Sequence, residues 1–146
     1  MPILSKFFRK LFLVKEIKSK EGVVHFRRYR LFQSPIFAIY IHNIMKSDED
    51  RHKHDHPWNF VSIILEGAYE EEFTQPPYHF TETHKVYMSG DFVHHPAEDA
   101  HKLTLISDNV ITLVFAYGKR RVWGYQTEKG WIDFKTYRQA KNEGKL

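Results

Sequence analysis

Short apolar and aromatic segments recur along this chain at intervals of about ten residues, each bounded by turn-forming or polar residues. Two of them, VVHFRRYRLF and IFAIYIHNIM, follow one another after Gly22, and NFVSIIL, HKLTLIS and NVITLVFAYG come later. Runs rich in β-branched and aromatic residues are typical of strands. Their regular spacing predicts an all-β sandwich or barrel.

The chain has 146 residues, which fits one domain spanning residues 1–146. We expect the strands to form a core over about residues 23–125, followed by a C-terminal tail over 126–146 with a short helix from Phe134 to Lys141. An amphipathic segment, 1–20, comes first. Its apolar residues have helical spacing through Phe12, which predicts a short helix packed on the domain or on a partner subunit. The alternative is a basic membrane anchor.

Composition excludes several classes of protein. The chain has no cysteine, so disulfides, thiolate zinc sites and a cysteine nucleophile are ruled out. Neither a Gly-x-Ser-x-Gly elbow nor a glycine-rich nucleotide-binding motif occurs. No apolar run approaches the ~20 residues that span a bilayer, and we expect a cytoplasmic protein. The net charge of +4 is too mild to predict nucleic-acid binding.

Histidines alternate over one short segment. His52, His54 and His56 would share one face of an extended chain, because side chains in a strand repeat every two residues. Two imidazoles on one face can bind the same metal ion, and a third ligand must then come from elsewhere in the fold. Neutral imidazole suits iron, nickel, copper and zinc. Asp55 alternates with this pair and should face away from the ion, where it can fix a turn or orient a neighbouring ring.

Two motifs at fixed spacing resemble those of the cupin superfamily of RmlC-like jelly-roll barrels. The first cupin motif, Gly-x5-His-x-His-x3-Glu-x6-Gly, is similar to His54-x-His56-x3-Phe60-x6-Gly67, with Asp48 in place of the opening glycine. The second cupin motif, Gly-x5-Pro-x-Gly-x2-His-x3-Asn, is similar to residues 90–105 of this chain. The matched residues of that segment are Gly90, Pro96 and His101. The resemblance covers residues 40 to 118 and extends to small single-domain cupins of bacteria and phages.

The resemblance implies a cupin-type double-stranded β-helix (a jelly-roll barrel) that binds a metal through His54, His56 and His101, with His52 as a reserve ligand. Phe60 stands where most metal-binding cupins have a ligand glutamate, and by parity it should project into the barrel. A site of three neutral imidazoles leaves about three of six octahedral positions open. Among cupins, this arrangement resembles thiol dioxygenases and some diketone-cleaving enzymes. Iron is the expected metal, with zinc, nickel or manganese as alternatives.

Other side chains are candidates for the chemistry beside the metal. Tyr69 and Tyr117 lie in strand-like segments and are candidate catalytic residues, although a tyrosine in a β core more often only packs. The candidate residues of a substrate pocket are Phe60, Trp58 and Arg120. His94 and His95 precede a proline in a turn and are expected at the rim.

Three functions remain open at this point. The first is a non-haem iron oxygenase acting on a small molecule. The second is an isomerase, lyase or hydrolase that uses its metal as a Lewis acid and needs another histidine or a tyrosine as general base. The third is a non-enzymatic module for ligand binding or assembly, because a fold does not fix a function. The sequence also leaves open whether the chain forms a homodimer.

Overall fold

The computed structural model of the protein describes residues 12–74 and 83–146. Within them the chain forms twelve strands and one helix. These are β1 (Leu13–Lys18), β2 (Val24–Gln33), β3 (Phe37–Ile44), β4 (Lys53–His54), β5 (Asn59–Glu66), β6 (Ala68–Thr74), β7 (Thr83–Met88), β8 (Phe92–His95), β9 (Ala100–Leu105), β10 (Val110–Tyr117), β11 (Gly124–Thr127), β12 (Gly130–Asp133) and α1 (Phe134–Asn142).

The strands form two six-stranded antiparallel sheets. The first has the order β1-β2-β3-β10-β5-β8, and the second has the order β12-β11-β4-β9-β6-β7. Strands that follow one another in sequence often lie in different sheets, as β4 and β5 do. Side chains that point inward from both sheets therefore meet in one interior. The predicted all-β class is confirmed.

The amphipathic segment 1–20 is only partly described, since residues 1–11 lie outside the described residues. Phe12, the first described residue, is helical, and Leu13–Lys18 is strand β1, which pairs with β2. Val14 and Ile17 are β-branched and favour a strand. Opposite charges add to the pairing, because Arg27 Nε lies 2.7 Å from Glu16 Oε2 on the neighbouring strand.

Alternation along the strands defines an apolar interior. In β10, for example, every second residue is buried. One apolar cluster lies within the first sheet and includes Ala38, Tyr40, Phe60, Val114 and Ala116. A second cluster joins the two sheets and includes Ile64, Tyr69, Tyr87, Val93 and Val110.

The predicted C-terminal helix is confirmed as Phe134–Asn142. The Asp133 side chain caps it by accepting hydrogen bonds from the backbone of Lys135 and Thr136. Its one buried residue, Tyr137, stacks on Tyr125 of β11 with ring centres 3.8 Å apart. Within the described residues, no helix has the length and apolar character needed to cross a membrane.

The glycines that close the first motif and open the second both stand in tight connections. Gly67 joins β5 to β6 with a φ of +86°, and Gly90 lies between β7 and β8 with a φ of +97°. A Cβ at Gly67 would overlap the Asn109 carbonyl oxygen and Ser107 Oγ, whereas a Cβ at Gly90 would meet no atom within 4 Å. The first position therefore requires glycine for space as well as for conformation.

Alanine substitution separates these two requirements. Gly90→Ala should lower the free energy of unfolding by about 1–2 kcal/mol, the usual penalty of a left-handed backbone. Gly67→Ala should lower it by a further ~1–3 kcal/mol, because the connection must also move to relieve overlap. Urea unfolding of both variants measures the difference. Equal losses would contradict the packing role of Gly67.

Candidate metal centre

The structure brings together the side chains of His54, His56 and His101. β4 pairs with β9 so that His54 stands directly opposite His101. The ring centres are 4.9 Å apart for this pair, 5.2 Å for His54 and His56, and 4.6 Å for His56 and His101. One nitrogen from each ring lies within 4.8 Å of the other two, so a single ion can reach all three.

Burial favours the neutral form of two of these imidazoles, which is the form that binds a cation. Burial lowers the pKa of His54, and the nearby carboxylate of Asp48 offsets only part of this decrease. Burial also lowers the pKa of His56 to well below its usual value. His56 Nδ1 is buried and has no hydrogen-bond partner among the described residues. A divalent metal ion fits this donor set, since neutral imidazole is a common ligand of transition metals.

A carboxylate that sequence reasoning missed lies behind this group. Glu71 on β6 is fully buried, and its Oε1 accepts hydrogen bonds from His101 Nδ1 and, at 2.9 Å, from His95 Nε2. Burial alone would raise the pKa of Glu71, but these two hydrogen bonds lower it to about 2. The carboxylate is therefore ionised. Because His101 Nδ1 donates to it, Nε2 is the nitrogen of His101 that can bind a metal.

The signal that could have found Glu71 is alternation. In the run Ala68–Thr74, Tyr69 and Glu71 are buried while the glutamates at 70 and 72 are not. Tyr69 belongs to a strand-like apolar pattern, so its parity also assigns an inward direction to Glu71. A run of three glutamates usually predicts a solvent-exposed segment, so the sequence gives no direct indication that Glu71 is buried.

His95 is also part of the interior, whereas the sequence predicted a rim position for it. It stands opposite Phe60 in the pairing of β5 with β8 and is only 5% exposed. Its ring lies 4.9 Å from Phe60 and 4.8 Å from His101. With Glu71 and His101 it forms a second group whose ligand atoms lie within 4.8 Å of one another. The two groups share His101.

Phe60 faces the imidazoles, as its parity predicts. The ring is buried, and its centre lies 4.7 Å from that of His56. The position of the usual cupin glutamate is thus filled by an apolar ring, and the carboxylate nearest to the centre comes from another strand.

His52 lies apart from this centre. Its Nε2 donates to Glu128 Oε2 at 2.9 Å, and its Nδ1 lies 3.0 Å from the Tyr137 hydroxyl. Both ring nitrogens are occupied by these contacts, which connect the histidine segment to α1. The structure therefore does not group the reserve ligand with the other three.

Asp55 holds the segment that carries the first two histidines. Its carboxylate accepts hydrogen bonds from the backbone of Gly124 at 2.6 Å, from Arg121 Nη1 at 2.8 Å and from Trp131 Nε1 at 2.9 Å. The same Arg121 nitrogen also donates to the carbonyl of His56. Asp55 thus faces away from the imidazoles and fixes the backbone on both sides of itself.

Each of the other predicted site residues has its own set of contacts. Tyr69 packs against Tyr87 in the cluster that joins the sheets, and Tyr117 is exposed, with its hydroxyl 2.6 Å from His94 Nε2. Trp58 packs on the cluster that contains Phe60. Arg120 is exposed, and its guanidinium lies 6.0 Å from the centre of the Trp58 ring. A catalytic role for the two tyrosines stays a prediction.

Comparison with known proteins supports the fold. No protein-family model matches the sequence, and no curated protein matches it. An Fe(II) structure of the protein HppE aligns with a TM-score of 0.55 and 13% identity, over 70% of this chain and 56% of the other. A candidate mannose-6-phosphate isomerase from Ralstonia eutropha JMP134 aligns with a TM-score of 0.54 and 15% identity, over 63% and 83%. An HTH_3 family transcriptional regulator from Vibrio cholerae aligns with a TM-score of 0.51 and 11% identity, over 79% of this chain and 60% of the other.

The fold is cupin-like. The two antiparallel sheets fit a jelly roll, so the resemblance seen in the sequence motifs is confirmed for the fold. This chain spans just over half the length of the HppE chain, at 56%. At such low identities the likeness concerns the fold, and the function must be argued from the site itself.

Removal of a ligand should abolish metal binding. We expect protein purified without a histidine tag to contain a divalent metal, and His54→Ala and His101→Ala to lose it because two imidazoles remain. His94→Ala is the matched control, since this side chain is exposed. Elemental analysis of the four proteins measures the content. Retention of the metal by His54→Ala would contradict the site.

Glu71→Gln tests the carboxylate behind His101. The amide keeps the shape of the side chain but accepts more weakly, and removal of such a partner typically lowers metal affinity by about 10–100-fold. The control is Glu70→Gln on the exposed side of the same strand, where the carboxylate contacts only His84 among the described residues. Competition for zinc with a chromogenic chelator measures both affinities. An unchanged affinity in Glu71→Gln would show that this carboxylate does not support the centre.

Proposed function

We propose that this chain is a metal-dependent enzyme built on a cupin-type jelly-roll barrel, and that it is a non-haem iron oxygenase acting on a small molecule. The observation that supports the proposal is the convergence of the ring nitrogens of His54, His56 and His101, with an apolar ring in place of a fourth protein ligand. Iron(II) bound there would supply dioxygen chemistry through its open coordination positions.

The residues around the imidazoles have separate roles in this proposal. Glu71 fixes the tautomer and orientation of His101, and a carboxylate one ligand away offsets part of the charge of a divalent ion. Phe60 covers one side of His56 and keeps water from it. Asp55 maintains the separation of His54 from His56. The Fe(II) form of HppE, which shares the fold, is in accord with iron at such a centre.

A second candidate function is Lewis-acid catalysis by an isomerase or lyase. It is favoured by His95, whose buried ring lies beside His101 and contacts the carboxylate of Glu71. A histidine in this position can move a proton to or from a substrate, which is the general base that such chemistry requires. The candidate mannose-6-phosphate isomerase from Ralstonia eutropha, which has a similar fold, supports this alternative.

The identity and accessibility of the metal distinguish the two. Near-stoichiometric iron in the purified protein is expected for the oxygenase, together with binding of nitric oxide to the Fe(II)-loaded protein, detected by electron paramagnetic resonance. Nitric oxide reports open positions at the metal without requiring a substrate. His54→Ala should give no such signal.

Two other results would contradict the oxygenase. Zinc or nickel in the purified protein, with activity supported by zinc, would favour Lewis-acid catalysis. A protein that contains no metal and takes up none from solution would exclude both enzymes and favour a ligand-binding module.

A further inference from the structure

Arg28 lies on the inner side of β2 among aromatic rings. Its guanidinium carbon is 5.2 Å from the ring centre of Tyr40, 5.6 Å from that of Trp58 and 5.7 Å from that of Phe26. Its Nε donates to His42 Nε2 at 2.9 Å on the paired strand. The side chain is half-buried, and burial lowers its pKa. Aromatic faces stabilise a cation in this position but do not neutralise its charge.

The guanidinium has no carboxylate partner among the described residues, in contrast to its neighbours. Arg27, the preceding residue, pairs with Glu16, and Arg121 pairs with the buried Asp55. A second positive charge, that of Lys15, lies near Arg28. The pKa of Lys15 is lowered by its own burial and by the charge of Arg28. A guanidinium has five N–H donors, and one of them is used within the described residues. A half-buried cation with free donors is suited to binding an anion.

Arg28 also lies on the same interior face as the imidazoles. Tyr40 and Phe60 belong to one apolar cluster, against which Trp58 packs, and the Phe60 ring contacts that of His56. Two of the rings that surround the cation therefore belong to the same aromatic cluster as Phe60, which contacts a candidate metal ligand.

We propose that Arg28 binds the anionic group of the substrate, so that the substrate class is small molecules with a carboxylate or phosphate group. This inference rests on the proposed function, because it assumes that the reacting part of the molecule lies at the imidazoles. The planar fork of the guanidinium would hold two oxygens of the anion at once, which a lysine cannot do. The rings of Tyr40 and Trp58 flank the guanidinium and restrict the direction from which an anion can approach it.

The test uses inorganic phosphate as the probe, with calorimetry on zinc-loaded protein and on chelator-treated protein. The chelator-treated protein is needed because phosphate can also bind a metal directly. In both forms Arg28→Met should weaken phosphate binding at least tenfold, while Arg28→Lys should weaken it less because it keeps the charge. Arg30→Met is the matched control, since Arg30 is exposed on the same strand and bonds Gln33. A urea-unfolding midpoint near that of the wild type shows that each variant is folded.

Two outcomes would overturn the inference. The first is equal phosphate affinity in the wild type and both Arg28 variants, and the second is no phosphate binding in the wild type. Zinc binding is measured alongside and separates the two proposals. If zinc binds normally while the affinity for phosphate does not depend on Arg28, the proposed anion site is wrong and the metal centre stands. If phosphate requires Arg28 but zinc does not bind, the anion site stands and the proposed metal function fails.

Discussion

The arrangement of the candidate centre depends on the carboxylate of Asp55. This side chain lies between the two histidines of the first motif and is almost wholly buried. It accepts three hydrogen bonds from the segment 121–131, while its backbone N–H donates to the Gly124 carbonyl. Because neighbouring side chains of an extended segment point to opposite sides, a fixed Asp55 directs the histidines before and after it to the other side. Charge-assisted hydrogen bonds of this kind are among the stronger ones in proteins.

The interior of the domain is divided into an apolar part and an imidazole part. Glu71 is the residue that makes the second part possible, since it gives two buried histidines a common acceptor. Burial of a carboxylate costs several kcal/mol in an apolar environment, and hydrogen bonds from polar neighbours offset that cost. Such a group is rarely retained for stability alone, because well-packed apolar residues would serve as well. Its position directly behind His101 is therefore best explained by the chemistry of the centre.

Much of this organisation could be predicted from local sequence, and the remainder could not. Motif spacing identified His54, His56 and His101, and alternation gave the inward direction of Phe60, because both can be read along the sequence without knowing which strands pair. Glu71, His95 and Arg28 are different: alternation gives their direction, but only the pairing of strands within and between the sheets determines what they meet. The end of the first segment also depends on pairing. Helical spacing ends at Phe12, and pairing with β2 makes Leu13–Lys18 a strand.

The support of Asp55 from residues 121–131 has a consequence for how the protein is made. All three candidate ligands lie within the first 101 residues, but the side chains and backbone that hold the first two in place come later in the chain. During synthesis the histidines therefore leave the ribosome before their geometry can be set. A nascent chain would carry the metal-binding side chains without their final arrangement. The geometry of the site could select among metals only after the last strands have folded.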